Sequence, residues 1–128
     1  MIKPTELEER IGRDLVHCCF KIHKALGPGL LEKVYEVCLE YELQRLGYNV
    51  KRQVHIPITY EGMVFDEGLR LDLLIEDRVI VELKAVELVN PVWEAQIISH
   101  LKLLNKNPGF LVNFNVPLIK QGVRRYVN

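Results

Sequence analysis

Along the first quarter of the chain apolar residues recur at three- and four-residue steps: Leu7, Ile11, Leu15, Cys18, Ile22, then Ala25 and Leu26. That period marks one buried helix face, and Thr5-x-x-Glu8 has the spacing of a capping box, so a helix is predicted over residues 6–25. Gly27-Pro28-Gly29 breaks it. A second helical pattern follows, with Leu31, Val34, Cys38, Tyr41 and Leu46 as its apolar face and Gly47 as its stop. From Tyr48 the period falls to two. Tyr48, Val50, Val54, Ile56, Ile58 and Tyr60 share parity in one long strand, Pro57 points to a sheet edge, and Glu61-Gly62 signals a turn.

Leu69–Ile75 alternates again, Glu76-Asp77-Arg78 interrupts, and Val79–Val86 is almost wholly apolar, the pattern of a hairpin with a short polar loop. Asn90 then offers an N-cap with Pro91 at the first helical position, and Trp93, Ile97, Leu101 and Leu104 mark one face of a helix over 91–105. Asn107-Pro108-Gly109 ends it, and 110–114 reads as a buried strand. Strand 79–86, helix 91–105 and strand 110–114 make a βαβ unit, whose crossover should be right-handed. Lys120–Asn128 reads as a polar tail. The fold class expected is α/β of the α+β kind: a mixed central sheet flanked by helices, in the order α-α-β-β-β-α-β, as a single domain over 1–128.

Composition adds exclusions. With 128 residues, 48% hydrophobic and 27% charged, the chain has the size and balance of one globular domain, and disorder or a coiled coil is disfavoured. No apolar run approaches the ~20 residues needed to cross a bilayer. Acidic residues near the N-terminus replace the basic segment of a signal peptide, so a cytoplasmic protein is expected. Cys18, Cys19 and Cys38 suit neither a disulfide framework nor a C-x-x-C site and read as reduced core thiols. Lys+Arg 17 against Asp+Glu 17 gives a net charge of zero. No long-range positive field draws in a polyanion, so nucleic-acid affinity has to come from local patches or a partner.

The anomaly lies in Val79–Val86, where Glu82 and Lys84 fall on one face of an otherwise apolar strand. Burying an ion costs several kcal/mol unless it is paired or bound. With Glu76-Asp77-Arg78 as a three-residue loop, Leu74 opposes Ile80, Asp72 opposes Glu82 and Arg70 opposes Lys84. Directly opposed Cβ atoms lie about 4.5–5.5 Å apart, so this register sets carboxylate beside carboxylate and cation beside cation. A bound divalent cation resolves the first conflict, because Mg²⁺ is commonly held by one or two carboxylates plus water and phosphate oxygens. A phosphate on that metal resolves the second. Two bland alternatives stay open at this point: a Glu82–Lys84 or Arg70–Glu82 ion pair on a solvated face, and a one-residue slip that leaves Glu82 opposite Leu71.

Asp72, nine intervening residues and Glu82-Leu83-Lys84 resemble the D…ExK core of the PD-(D/E)XK nuclease superfamily. Gly29-Leu30-Leu31-Glu32-Lys33-Val34-Tyr35 resembles the G-x-x-E-x-x-Y signature of the GxxExxY protein family, a small-protein branch of that superfamily, and Leu111–Leu118 resembles its C-terminal region. The resemblance implies a restriction-endonuclease-like core and metal-dependent hydrolysis of DNA or RNA phosphodiester bonds. Asp72, Glu82, the Leu83 carbonyl and Glu32 would hold Mg²⁺, or Mn²⁺ in its place, and Lys84 would stand by the attacking water. Gln96 matches a glutamine that many members place beside the metal. Where one branch continues as Q-x-x-x-Y this chain has His100, read here as an ordinary helix histidine, and Leu71 stands at the position of the motif's proline.

Glu36, one turn after Glu32, is a second candidate for the helical acid. His17, His23 and His55 lack ligand spacing, and Tyr35 and Tyr41 read as core. The functional expectation is a metal-dependent nuclease-like hydrolase, acting alone or after joining a homo-oligomer or protein partner. The alternative is a non-catalytic nucleic-acid or protein-interaction module on the same fold.

Overall fold

The computed structural model describes residues 2–128. Helix α1 (Glu6–Leu26) opens with the anticipated capping box, the Thr5 hydroxyl accepting from the Glu8 N–H and the Glu8 carboxylate from the Thr5 N–H. Its apolar stripe of Ile11, Leu15, Cys18, Cys19 and Ile22 is buried. Helix α2 (Glu32–Arg45) follows, then the strands β1 (Val50–Tyr60), β2 (Met63–Ile75) and β3 (Val79–Lys84). Helix α3 (Pro91–Leu104) starts at Asn90, whose side chain accepts from the Val92 N–H as an N-cap should. Strand β4 (Gly109–Asn113), a short turn of 3₁₀ helix (Ile119–Gln121) and strand β5 (Val123–Tyr126) complete the chain.

The five strands form one mixed sheet in the order β1-β2-β3-β4-β5, with β3 and β4 parallel and the other neighbours antiparallel. Strand β1 is an edge, where its Pro57 has no ladder bond to break. A large core joins α1 and α2 to the sheet through Leu73, Val81, Leu83, Phe110 and Val112. A smaller one gathers Leu71, Leu74 and Ile80 beneath Leu101 of α3.

Four expectations need correction. The apolar face of α2 is the four-step row Tyr35, Leu39 and Leu43, whereas Leu31 is 78% exposed and Val34, Tyr41 and Leu46 also face solvent. Tyr35 decides the rotation of the helix. Its ring stacks on Phe114 at 4.3 Å, and its hydroxyl donates to the Gly27 carbonyl at 2.7 Å and accepts from the Leu30 N–H, closing the turn between the two helices. Residues 120–128 are not a tail. Val123–Tyr126 pairs with β4, and Gly122 permits it, because a Cβ there would lie 2.0 Å from the Asn113 carbonyl oxygen.

Strand β2 also begins six residues earlier than its alternation suggested, directly after a two-residue turn in which Glu61 and Gly62 both have positive φ. Finally, the apolar residues of β1 do not line one face. Val50 joins the large core and Val54 and Ile56 the small one. The switch occurs at Gln53, which sits in the left-handed region at φ 53°. Glutamine has no preference for that conformation, so nothing in the alternation announced it.

Candidate active site

Across the loop Glu76-Asp77-Arg78 the strands pair as Ile75 with Val79, Leu74 with Ile80 and Leu73 with Val81. This is the register that directs Asp72 toward Glu82, and the slipped register is excluded. Beyond Leu73 the ladder gives way to a side chain: Asp72 Oδ2 accepts the Leu83 N–H at 2.7 Å. Asp72 is 5% exposed, and its neighbour across β1 is the left-handed Gln53, between the Arg52–Leu73 and Val54–Leu71 pairs. The turn in β1 and the opening between β2 and β3 therefore coincide at the aspartate.

Glu82, on β3, has a side chain 14% exposed. Its Oε1 lies 3.5 Å from Nδ1 of His100 on α3, outside ordinary hydrogen-bond range, and both atoms are buried without a hydrogen-bond partner. Burial pushes the Glu82 carboxyl up from the usual carboxylate range, the Asp72 carboxylate pushes it further, and His100 opposes the shift. Glu32, at the start of α2, is raised by burial first and then by Asp72, with Lys84 and Arg70 drawing it back. Glu32, Asp72, Lys84 and Arg70 thus share one electrostatic neighbourhood, drawn from α2, β2 and β3. The Lys84 ammonium is held 4.5 Å over the ring of Trp93, one α3 residue that the helix face had marked.

The bland ion pairs do not form: among the described residues neither Glu82–Lys84 nor Arg70–Glu82 is within bonding distance. The two helical acids are also separated by their surroundings. Glu36 is 4% exposed and already engaged, Oε2 with Arg52 at 3.1 Å and Oε1 with the Gln53 amide at 2.5 Å, while Arg52 also reaches Glu40 at 3.1 Å. It fastens α2 to β1. Glu32 has no such partner among the described residues. Gln96 is exposed and makes no hydrogen bond there, one turn before His100.

His100 is the residue that the reading by sequence passed over. The signal was present, since His100 falls on the same buried stripe of α3 as Trp93, Ile97, Leu101 and Leu104, facing the side of the sheet that carries Glu82. The other histidine with a definite role, His23, bonds the Val116 carbonyl oxygen and is structural. Cys18 and Cys19 are buried free thiols, with burial pushing Cys18 up to about 11 and Cys19 higher still.

Among the described residues no group of three or more His, Cys, Asp or Glu side chains is assembled as a metal site. What exists is narrower: two nearby carboxylates, one with a buried oxygen lacking any partner. Hard oxygen donors in that number suit a divalent cation that keeps most of its water. A family model described as the PD-(D/E)XK nuclease superfamily matches residues 9–126. The chain belongs to the PD-(D/E)XK nuclease superfamily. The match runs from α1 through β5, so the final strand belongs to the superfamily domain. Nucleases of the superfamily act on nucleic acids and generally use divalent metals. No curated protein and no solved structure matches the chain. No helix among the described residues is long and apolar enough to cross a membrane.

Proposed function

We propose that the chain is a cytoplasmic, metal-dependent hydrolase of DNA or RNA phosphodiester bonds, folded as one nuclease domain of the GxxExxY branch. The observation that supports it best is the pair of carboxylates set side by side, Asp72 tied to the Leu83 N–H and Glu82 left with a buried, unpartnered oxygen. Two such groups repel each other when both are charged, and among the described residues no Lys or Arg is ion-paired with either.

Asp72, Glu82, the Leu83 carbonyl and Glu32 are the ligands assigned to Mg²⁺, with Mn²⁺ an acceptable substitute for the same oxygen donors. A bound cation of this kind supplies a water of lowered pKa and positive charge against the phosphoryl oxygens. Asp72 keeps one carboxylate oxygen for it while the other fixes its rotamer on β3. His100 orients Glu82 by turning the 3.5 Å approach into a donated hydrogen bond once the carboxylate is charged. Lys84 leaves the face of Trp93 and places its ammonium against the phosphate, where it neutralises charge that develops as the bond breaks. Gln96, exposed one turn before His100, is assigned to a phosphate oxygen.

The second reading, a non-catalytic interaction module, draws on one observation: Lys84 rests on an aromatic ring instead of at the carboxylates. Isothermal titration separates the two. The enzyme binds Mg²⁺ or Mn²⁺ saturably and loses that binding in Asp72→Asn, whereas the module binds its nucleic acid equally well with chelator present.

A further inference from the structure

The β1–β2 hairpin outruns the sheet that supports it. Strand β3 pairs only with Leu73–Ile75, so the outer half of the hairpin, from Ile58 to Gly68, is a two-stranded arm. The cross-strand pairs Ile58–Phe65 and Tyr60–Met63 put four apolar side chains on one face of it, since opposed residues share a face. Of these Tyr60 is 65% exposed, Met63 54% and Phe65 49%. An isolated two-stranded ribbon is marginal in water, and an exposed apolar face on one marks a contact surface.

Charge says what the contact surface fits. Between Ile58 and Gly68 the arm carries Glu61, Asp66 and Glu67 and not one basic residue. A nucleic acid is repelled by such a tip. Elsewhere on the chain a groove of about 580 Å³ runs between the end of α1 and the segment before β5. Its floor is apolar, with Phe20 45% and Leu118 56% exposed beside Pro28 and Pro117, and its rim carries Lys24 and Lys120 with no acidic residue. Apolar face meets apolar floor, and acidic tip meets basic rim. Because β1 is one edge of the sheet and the groove lies near the opposite edge strand β5, one molecule presents both halves at its two ends.

We infer that the chain self-associates by seating the β1–β2 arm of one copy in the groove between α1 and Leu118 of a second copy. Two different patches of the same chain meet in it, so the contact is heterologous, arm to groove. The contact joins opposite charges at its rim, so it weakens as salt rises. It is independent of whether the carboxylate site turns over substrate.

Sedimentation equilibrium of the full chain over a concentration series tests this directly. The wild type associates, and Phe65→Asp, on the exposed arm, weakens the association by at least about tenfold, the change that 1.4 kcal/mol produces. Lys24→Glu with Lys120→Glu does the same from the other side. Combining that pair with Glu61→Lys and Glu67→Lys restores association, an outcome that misfolding does not yield; circular dichroism melts confirm that each variant is folded. The inference is overturned by a wild type that stays monomeric at every concentration, by association that the arm variant leaves unchanged, or by association that the groove variants leave unchanged.

Discussion

Glu82 is a carboxyl group that the folded chain holds back from ionising, because burial and the neighbouring Asp72 both favour its protonated form. The folded state therefore binds this proton to higher pH than the unfolded state does. By linkage, its contribution to stability is full below the ordinary carboxylate pKa and is lost as pH rises through the raised value. Glu82→Gln removes the titration. In chelator, the denaturant midpoint of the wild type should fall as pH rises out of the acid range toward neutrality, and that of Glu82→Gln should fall less and lie above the wild type at neutral pH. His100 acts on the same carboxylate from α3. Its replacement by Ala removes the ring nitrogen 3.5 Å from Glu82, and titration calorimetry should show Mg²⁺ affinity reduced by about 10–100-fold, with part recovered in His100→Asn.

Elements enter the site as a set of constraints on Asp72, which needs β2 and β3 to part just after Leu73 and β1 to turn at Gln53. The turn is held by Glu36 of α2, whose two oxygens take Arg52 and Gln53. Arg52→Ala leaves that carboxylate buried with half its partners, so thermal unfolding should show a loss of about 3 kcal/mol. Combining Arg52→Ala with Glu36→Gln should recover most of it. What the sequence made legible follows from this layout. The Asp72–Glu82 juxtaposition was readable because loop length and period-two parity fix a hairpin register locally. The face of α2 was not, since Leu31, Val34, Cys38 and Tyr41 keep helical spacing as well as Tyr35, Leu39 and Leu43 do, and only the stacking of Tyr35 on Phe114 selects between them. Strand β5 was hidden for a related reason: its Val123-Arg124-Arg125-Tyr126 is polar in the middle, and its place depends on Gly122, whose bare Cα lets the backbone approach Asn113.

At the scale of the whole molecule the balanced charge matters most. Zero net charge supplies no long-range attraction to a polyanion, and affinity for nucleic acid comes mostly from displaced counterions, so under the proposed function substrate would be held locally, by Lys84, a cation at the carboxylates and the residues around them. Local charge is nonetheless uneven, with an acidic arm, Glu61, Asp66 and Glu67, and a groove rimmed by Lys24 and Lys120. In the proposed mechanism Lys84 is the group whose removal would alter catalysis while leaving the carboxylates in place. The most direct measurement is cleavage of labelled single- and double-stranded DNA and RNA with Mg²⁺ or Mn²⁺, with wild type and Lys84→Ala purified side by side. Cleavage by the wild type that falls by about a hundredfold or more in Lys84→Ala, while Mg²⁺ still binds both proteins, is the expected result. Equal cleavage by the two proteins, or no cleavage by a wild type that binds no metal, contradicts the assignment.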